Sequence, residues 1–185
     1  MQCDCRKFLV LEGYMTTKHG DLSLLNDPIA QMLLNAPIPA HLAYTWTDGS
    51  PRVIPIGLHW TGTELVTGTP NNAPKLKALK DGDPVAVTID SATPPFRVLS
   101  IRGIVHLQPS DGVVPEWAWA SARIMGVEGA AAFGQMMEGM LKAGVVSLIR
   151  LSITPTWASI LDFETRFPSG IEKGMAAMMG GGQAE

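Results

Sequence analysis

The first clear pattern begins at Asp27-Pro28, after which Ile29, Met32 and Leu33 recur at helical spacing. Asp is a good N-cap and Pro suits the first helical turn, so a short helix is predicted there, ended by Pro37 and Pro39. From His41 the pattern becomes β-prone. His41–Trp46 and Pro51–Trp60 flank the turn Asp48-Gly49, which reads as a hairpin. Pro55, inside the second run, marks an edge, a bulge or a break in pairing. A turn at Thr61-Gly62 leads to Glu64–Thr69, completing three consecutive antiparallel strands. Leu76 and Leu79 then stand three apart among Lys75, Lys77 and Lys80, predicting a short helix with a basic face. Strands resume at Val85–Ile89 and at a long run, Phe96–Leu107, whose Gly103 signals a bulge or a close backbone approach. Residues 111–142 read as a helical insert broken near Gly126–Gly129. Trp117, Ala120 and Ile124 share a face of its first half, and Phe133, Met136, Met137, Met140 and Leu141 dominate the second. Two closing strands, Val145–Thr154 and Trp157–Phe163, are predicted. Helices inserted between antiparallel strands give an α+β fold on a small barrel of about six or seven strands.

Composition narrows the function classes. A chain of 185 residues suits one domain, divided as an N-terminal extension (1–20), the barrel domain (21–167, with the insert 111–142) and a C-terminal tail (168–185). Charged residues make up 17%, so most of the chain is expected to fold. A net charge of −3 disfavours nucleic acid as a partner. Mean hydropathy is +0.15, an apolar surplus that a subunit interface would absorb. No run approaches the roughly 18 apolar residues of a membrane span, and Phe8–Leu11 is too short for a signal-peptide core. Cys3 and Cys5 stand too close together for an unstrained disulfide, and His19, His41, His59 and His106 are widely scattered, so no metal site is expected. Without a disulfide framework, a cytoplasmic location is expected. The Met- and Gly-rich end from Met175 to Glu185 reads as a short frayed helix and a disordered tail.

No nucleophile elbow, phosphate-binding P-loop or dinucleotide glycine fingerprint occurs, and the acids are scattered. The informative stretch is Ser50 to Leu79. Arg52 opens a strand, Thr67 and Thr69 share one face of another, and Lys75 and Lys77 lie in the first turns of the helix that follows. An antiparallel pairing could set Arg52 beside Thr67 and Thr69, and the helix start would add N–H donors to an anion site. The alternative is a hairpin charge and a solvated lysine face. Tyr44, Trp46, His59 and His106 read as barrel core or rim, and the methionines of the insert as packing.

Five segments in order carry a resemblance: Ser50-Pro51-Arg52-Val53-Ile54-Pro55-Ile56, Leu65-Val66-Thr67-Gly68-Thr69, Lys75-Leu76-Lys77-Ala78-Leu79, Asp83-Pro84-Val85-Ala86-Val87, and Phe96 through Val105. Together they resemble the pyridoxamine 5′-phosphate oxidase-like, flavin-binding split β-barrel family over about Asp27 to Leu107, with the closing strands fitting more loosely. The resemblance implies a homodimeric split barrel that holds FMN, or in a sister branch the deazaflavin F420, at the dimer interface for redox chemistry on a small molecule. It implies that Arg52 meets the phosphate, that the backbone of Val53, Ile54 and Pro55 runs along the isoalloxazine edge, and that the Thr67-Gly68-Thr69 strand bonds ribityl or phosphate oxygens. Lys75 would bind the phosphate, with Lys77 a further candidate. Many relatives carry Ser-Arg-Lys or Ser-x-Lys before the second helix, whereas this chain has Asn72-Ala73-Pro74-Lys75.

Overall fold

The structure is a computed structural model that describes residues 19–164, together with 171 and 174. The readings made for Cys3, Cys5 and the Met- and Gly-rich end lie outside the described residues. A 3₁₀ turn, Leu22–Asn26, precedes helix α1, Pro28–Leu34. Asp27 caps α1, its carboxylate accepting from the Ile29 N–H at 2.9 Å. The buried stripe is Ala30, Leu33 and Leu34, while Met32 is exposed. The helix is therefore rotated from the face that its sequence spacing predicts.

Seven strands follow: β1 Ala40–Thr45, β2 Pro51–Ile56, β3 His59–Trp60, β4 Leu65–Pro70, β5 Pro84–Asp90, β6 Arg97–Ser110 and β7 Leu148–Asp162. The hairpin β1–β2 turns where expected. The Trp46 N–H donates to the Ser50 carbonyl at 2.8 Å, and Gly49 takes a φ of 84°, which glycine adopts without strain. Helix α2, Pro115–Lys142, fills the long connection before β7 and breaks at Gly126, where φ is 78° and ψ 168°.

The strands form one antiparallel sheet in the order β2-β1-β5-β6-β7-β4-β3. Its two edge strands are consecutive in the chain, joined through Gly57-Leu58 alone. A sheet whose ends are so tethered must coil back on itself, and the twist of the strands supplies the curvature. Leu42, Leu65, Val87, Leu99, Ile101, Ile153 and Ile160 pack inside the resulting barrel. The fold is thus an α+β split barrel.

Three elements differ from the sequence reading. Pro51–Trp60 is two strands, not one, because the chain bends at Gly57-Leu58; Pro55 itself is tolerated on β2, an edge strand. The two closing strands are a single strand of 15 residues. Pro155 does not break it, because it sits at a register shift opposite Gly103. A Cβ on Gly103 would lie 2.6 Å from the Thr154 carbonyl oxygen, so the close approach needs glycine. Third, the first four strands form no meander. β1 pairs with β2 and β3 with β4, but β4 takes β7 on its other side.

Candidate functional site

β4 is buried on both faces, from Leu65 through Thr69. Leu65, Thr67 and Thr69 share the face that Leu151 and Ile153 of β7 present to the barrel interior. The Thr67 hydroxyl donates to the Gly68 carbonyl at 3.3 Å, and the Thr69 hydroxyl is buried without a partner. Gly68 faces the other way, under the indole of Trp117 on α2, where an added Cβ would lie 2.6 Å from Cε3.

Beyond β4 the predicted helix is a four-residue 3₁₀ turn, Pro74–Lys77. Ala73 offers no side-chain cap and the turn closes at Ala78, so the helix N-terminus expected to donate N–H groups is not built. The Lys75 ammonium is half-buried, with no hydrogen bond or ion pair among the described residues. Burial holds its pKa below the ordinary lysine range. Lys77 is exposed, as is Lys80, whose ammonium reaches the Leu76 carbonyl at 3.4 Å.

The expected strand pairing of Arg52 with Thr67 and Thr69 is not formed. β1, β5, β6 and β7 lie between β2 and β4 in the sheet, because β7 and the two-residue β3 occupy the edges of β4. Arg52 pairs across with Tyr44 and lies over the Trp46 ring at 5.2 Å, exposed at the rim. Val53 is 63% exposed on the outer face, and Ile54 turns inward against the core. Pro55 lines a groove of about 250 Å³ between the end of β2 and α2. Trp117 is the link, since it covers Gly68 and also lines that groove. The structure therefore gathers Thr67, Gly68, Thr69 and Lys75 along β4 and its exit turn, while Arg52 and Val53 stand on the opposite edge strand.

The remaining aromatic and histidine candidates also find their places. Tyr44 is buried and packs edge-on with Trp46, ring centroids 6.4 Å apart. His59 is half-buried, edge-on to Trp119 at 5.0 Å, with Nδ1 lacking a partner. Burial, then the Arg123 charge, lowers its pKa and favours neutral imidazole. His106 is not enclosed in the barrel; it is partly exposed, with Nδ1 3.7 Å from Asp81.

Sequence reasoning missed a polar tie beneath α2. Arg150 of β7 donates to Glu116 at 3.0 Å and to Glu64 at 3.2 Å, and Ser152 donates to Glu64 at 3.3 Å. Burial pushes the Glu116 carboxyl up, but its backbone N–H and the Arg150 guanidinium outweigh this and hold it below the ordinary range. Arg123, further along α2, donates to the carbonyls of Ala36, at 3.1 Å, and Leu58. These contacts span 34 to 87 residues of sequence and leave no local pattern. The one available signal was acidic Glu116 in the first turn of the insert helix.

No protein-family model and no curated protein sequence matches the chain. Solved structures do. An F420 reductase is 22% identical, with a TM-score of 0.51 over 70% of this chain and 94% of the other. A FAD- and heme-binding protein from Mycobacterium smegmatis is 20% identical, with a TM-score of 0.53 over 88% of this chain and 80% of the other. A protein of the pyridoxinephosphate oxidase family from Clostridium acetobutylicum is 12% identical, with a TM-score of 0.52 over 77% of this chain and 90% of the other. The chain thus shares the split-barrel fold of these proteins. Among the described residues, no helix is long and apolar enough to cross a membrane.

Proposed function

We propose that the chain is a flavin-type oxidoreductase that holds FMN by its phosphate at the exit of β4 and acts on a small molecule. The observation that carries this reading is Lys75, a half-buried ammonium without a partner, six residues beyond the orphaned Thr69 hydroxyl. A half-buried cation without a partner costs stability, and a phosphate would satisfy it through a charge-assisted hydrogen bond; the Thr69 hydroxyl, closed off on β4, would join only after the exit of the strand opens. The donor set therefore fits a phosphate. Lys75 and Thr69 would hold it, Arg52 would add a second cation from the rim, and the exposed backbone edge at Val53–Pro55 would border the ring. The hydroxyl of Thr67, bonded to the Gly68 carbonyl, contributes only after that bond breaks. When bound, a flavin supplies the hydride and electron chemistry, and the protein supplies orientation, polarity and access.

A second copy of the chain would cover the outer face that Val53 leaves exposed, closing the site at a homodimer interface. F420 is the second reading. Lys77 and Lys80 are exposed beside Lys75 and offer a basic surface for its longer anionic tail, and the F420 reductase shares the fold.

Titration of the purified protein with FMN and with F420, followed by absorbance, tests the assignment. Lys75→Ala or Arg52→Ala should weaken the cofactor by about 1.5–3 kcal/mol, roughly 10- to 150-fold in Kd. Unchanged affinity in both variants would refute the site. A bound cofactor without turnover of any reductant would reduce the protein to a cofactor-binding dimer.

A further inference from the structure

The groove under α2 has a construction that the flavin reading does not require. Its lining is Pro39, Pro55, Ile56 and Gly57 from the barrel side, and Trp117, Ser121, Ile124, Met125 and Phe133 from α2. The break at Gly126 falls between Met125 and Phe133, so the two halves of the helix supply different walls. Trp117 and Phe133 meet edge to face, at 90° and 5.1 Å, which fixes both rings. Gly57 sets the floor, since a Cβ there would lie 3.3 Å from Ile124 Cδ1.

No charged side chain lines the groove. Its polar side chain is Ser121, 9% exposed, whose hydroxyl makes no hydrogen bond among the described residues. A helical serine commonly bonds back to the preceding turn, and here that bond is not made. The hydroxyl is not shut off from solvent, and it is free to bond a molecule that enters the groove. The volume, about 250 Å³, lies between a cavity of about 150 Å³ that takes benzene and the larger pockets of drug-sized ligands.

We infer that this groove is a binding site for a small uncharged aromatic molecule of one or two rings. Its ring lies against Trp117 and Phe133, and one polar group hydrogen-bonds the Ser121 hydroxyl. A carboxylate is rejected, because no cation in the lining would compensate its desolvation. The groove shares Pro55 with the proposed flavin edge but includes neither Lys75 nor Thr69, so its occupancy does not require the phosphate.

The test is fluorine NMR of 4-fluorophenol against the full chain, with 4-fluorobenzoate as the charged counterpart. Expected are saturable binding of the phenol, at least about tenfold weaker binding of the benzoate, and a several-fold loss of phenol affinity in Ser121→Ala. Ser121→Leu, which fills the groove, should abolish binding while circular dichroism and Tm report a native fold. The inference is overturned if the phenol does not saturate by about 10 mM, if the two probes bind equally, or if a folded Ser121→Leu binds as wild type. Phenol binding that emerges only on dilution to monomer would put a second copy in the groove, and overturns it too.

Discussion

Gly68→Ala probes whether α2 is seated on β4 as described. The added methyl carbon would lie 2.6 Å from Cε3, 2.8 Å from Cδ2 and 3.1 Å from Cγ of Trp117. The contact with Cγ is close to the root of the side chain, so a small χ rotation does not relieve it. Trp117 is also held from behind by Phe133. Overpacking of this kind costs about 1–3 kcal/mol. Against it, replacing glycine inside a strand with alanine gains roughly 0.5–1 kcal/mol. On the central values the clash wins, for a net loss of about 1 kcal/mol and a fall in Tm of roughly 2–4 °C in a chain of this size. Urea and thermal unfolding of Gly68→Ala, Trp117→Leu and the double variant form a cycle. The double variant should lose less than the sum of the singles, by about 1 kcal/mol or more, because the methyl then fills space that the indole vacates. An alanine variant as stable as the wild type, or strictly additive losses, would show that Trp117 does not rest on Gly68.

Lys75→Met should raise the stability of the cofactor-free protein by about 1 kcal/mol, measurable as a rise in urea midpoint, while weakening FMN. Because burial lowers the folded-state pKa of Lys75, its cost is full below the folded-state value and falls as pH rises from that value towards the unfolded one. The stabilisation by methionine should shrink at alkaline pH, and a pH-independent gain would refute the burial argument. Arg150→Met strands Glu64 and Glu116 and should cost about 1–3 kcal/mol by chemical denaturation. Since the folded pKa of Glu116 is depressed, wild-type stability drawn from it is present above the ordinary carboxylate range and lost as pH falls through the folded value. The variant should lack that part of the acid transition. If the cofactor sits between two copies, dilution to monomer should release FMN, and a monomer that retains full affinity on analytical ultracentrifugation would refute the interface site.

Local chemistry carried the turns, the strand runs and the punctuation. Asp27 and Pro28 start α1, Asp48-Gly49 closes the first hairpin, Pro55 marks an edge strand, and the α2 break falls at Gly126 within the expected window. Each depends on the dihedral or hydrogen-bonding limits of one or two residues, which neighbours in sequence decide. That Thr67, Gly68 and Thr69 share one strand and Lys75 its exit turn was likewise legible, because that spacing is a property of the chain alone.

Which strand lies beside which was decided elsewhere. Arg52 could not be placed relative to β4 from spacing, since pairing depends on which edges the distant β7 and the short β3 occupy. β7 runs unbroken past Pro155 because Gly103, on another strand, accommodates the bulge. Trp117 over Gly68, and Arg150 between Glu64 and Glu116, join segments with no sequence relation. Burial is the physical reason: a long-range contact forms because the closed barrel leaves an apolar face or a charge that only a remote segment can cover, and no local pattern encodes that partner.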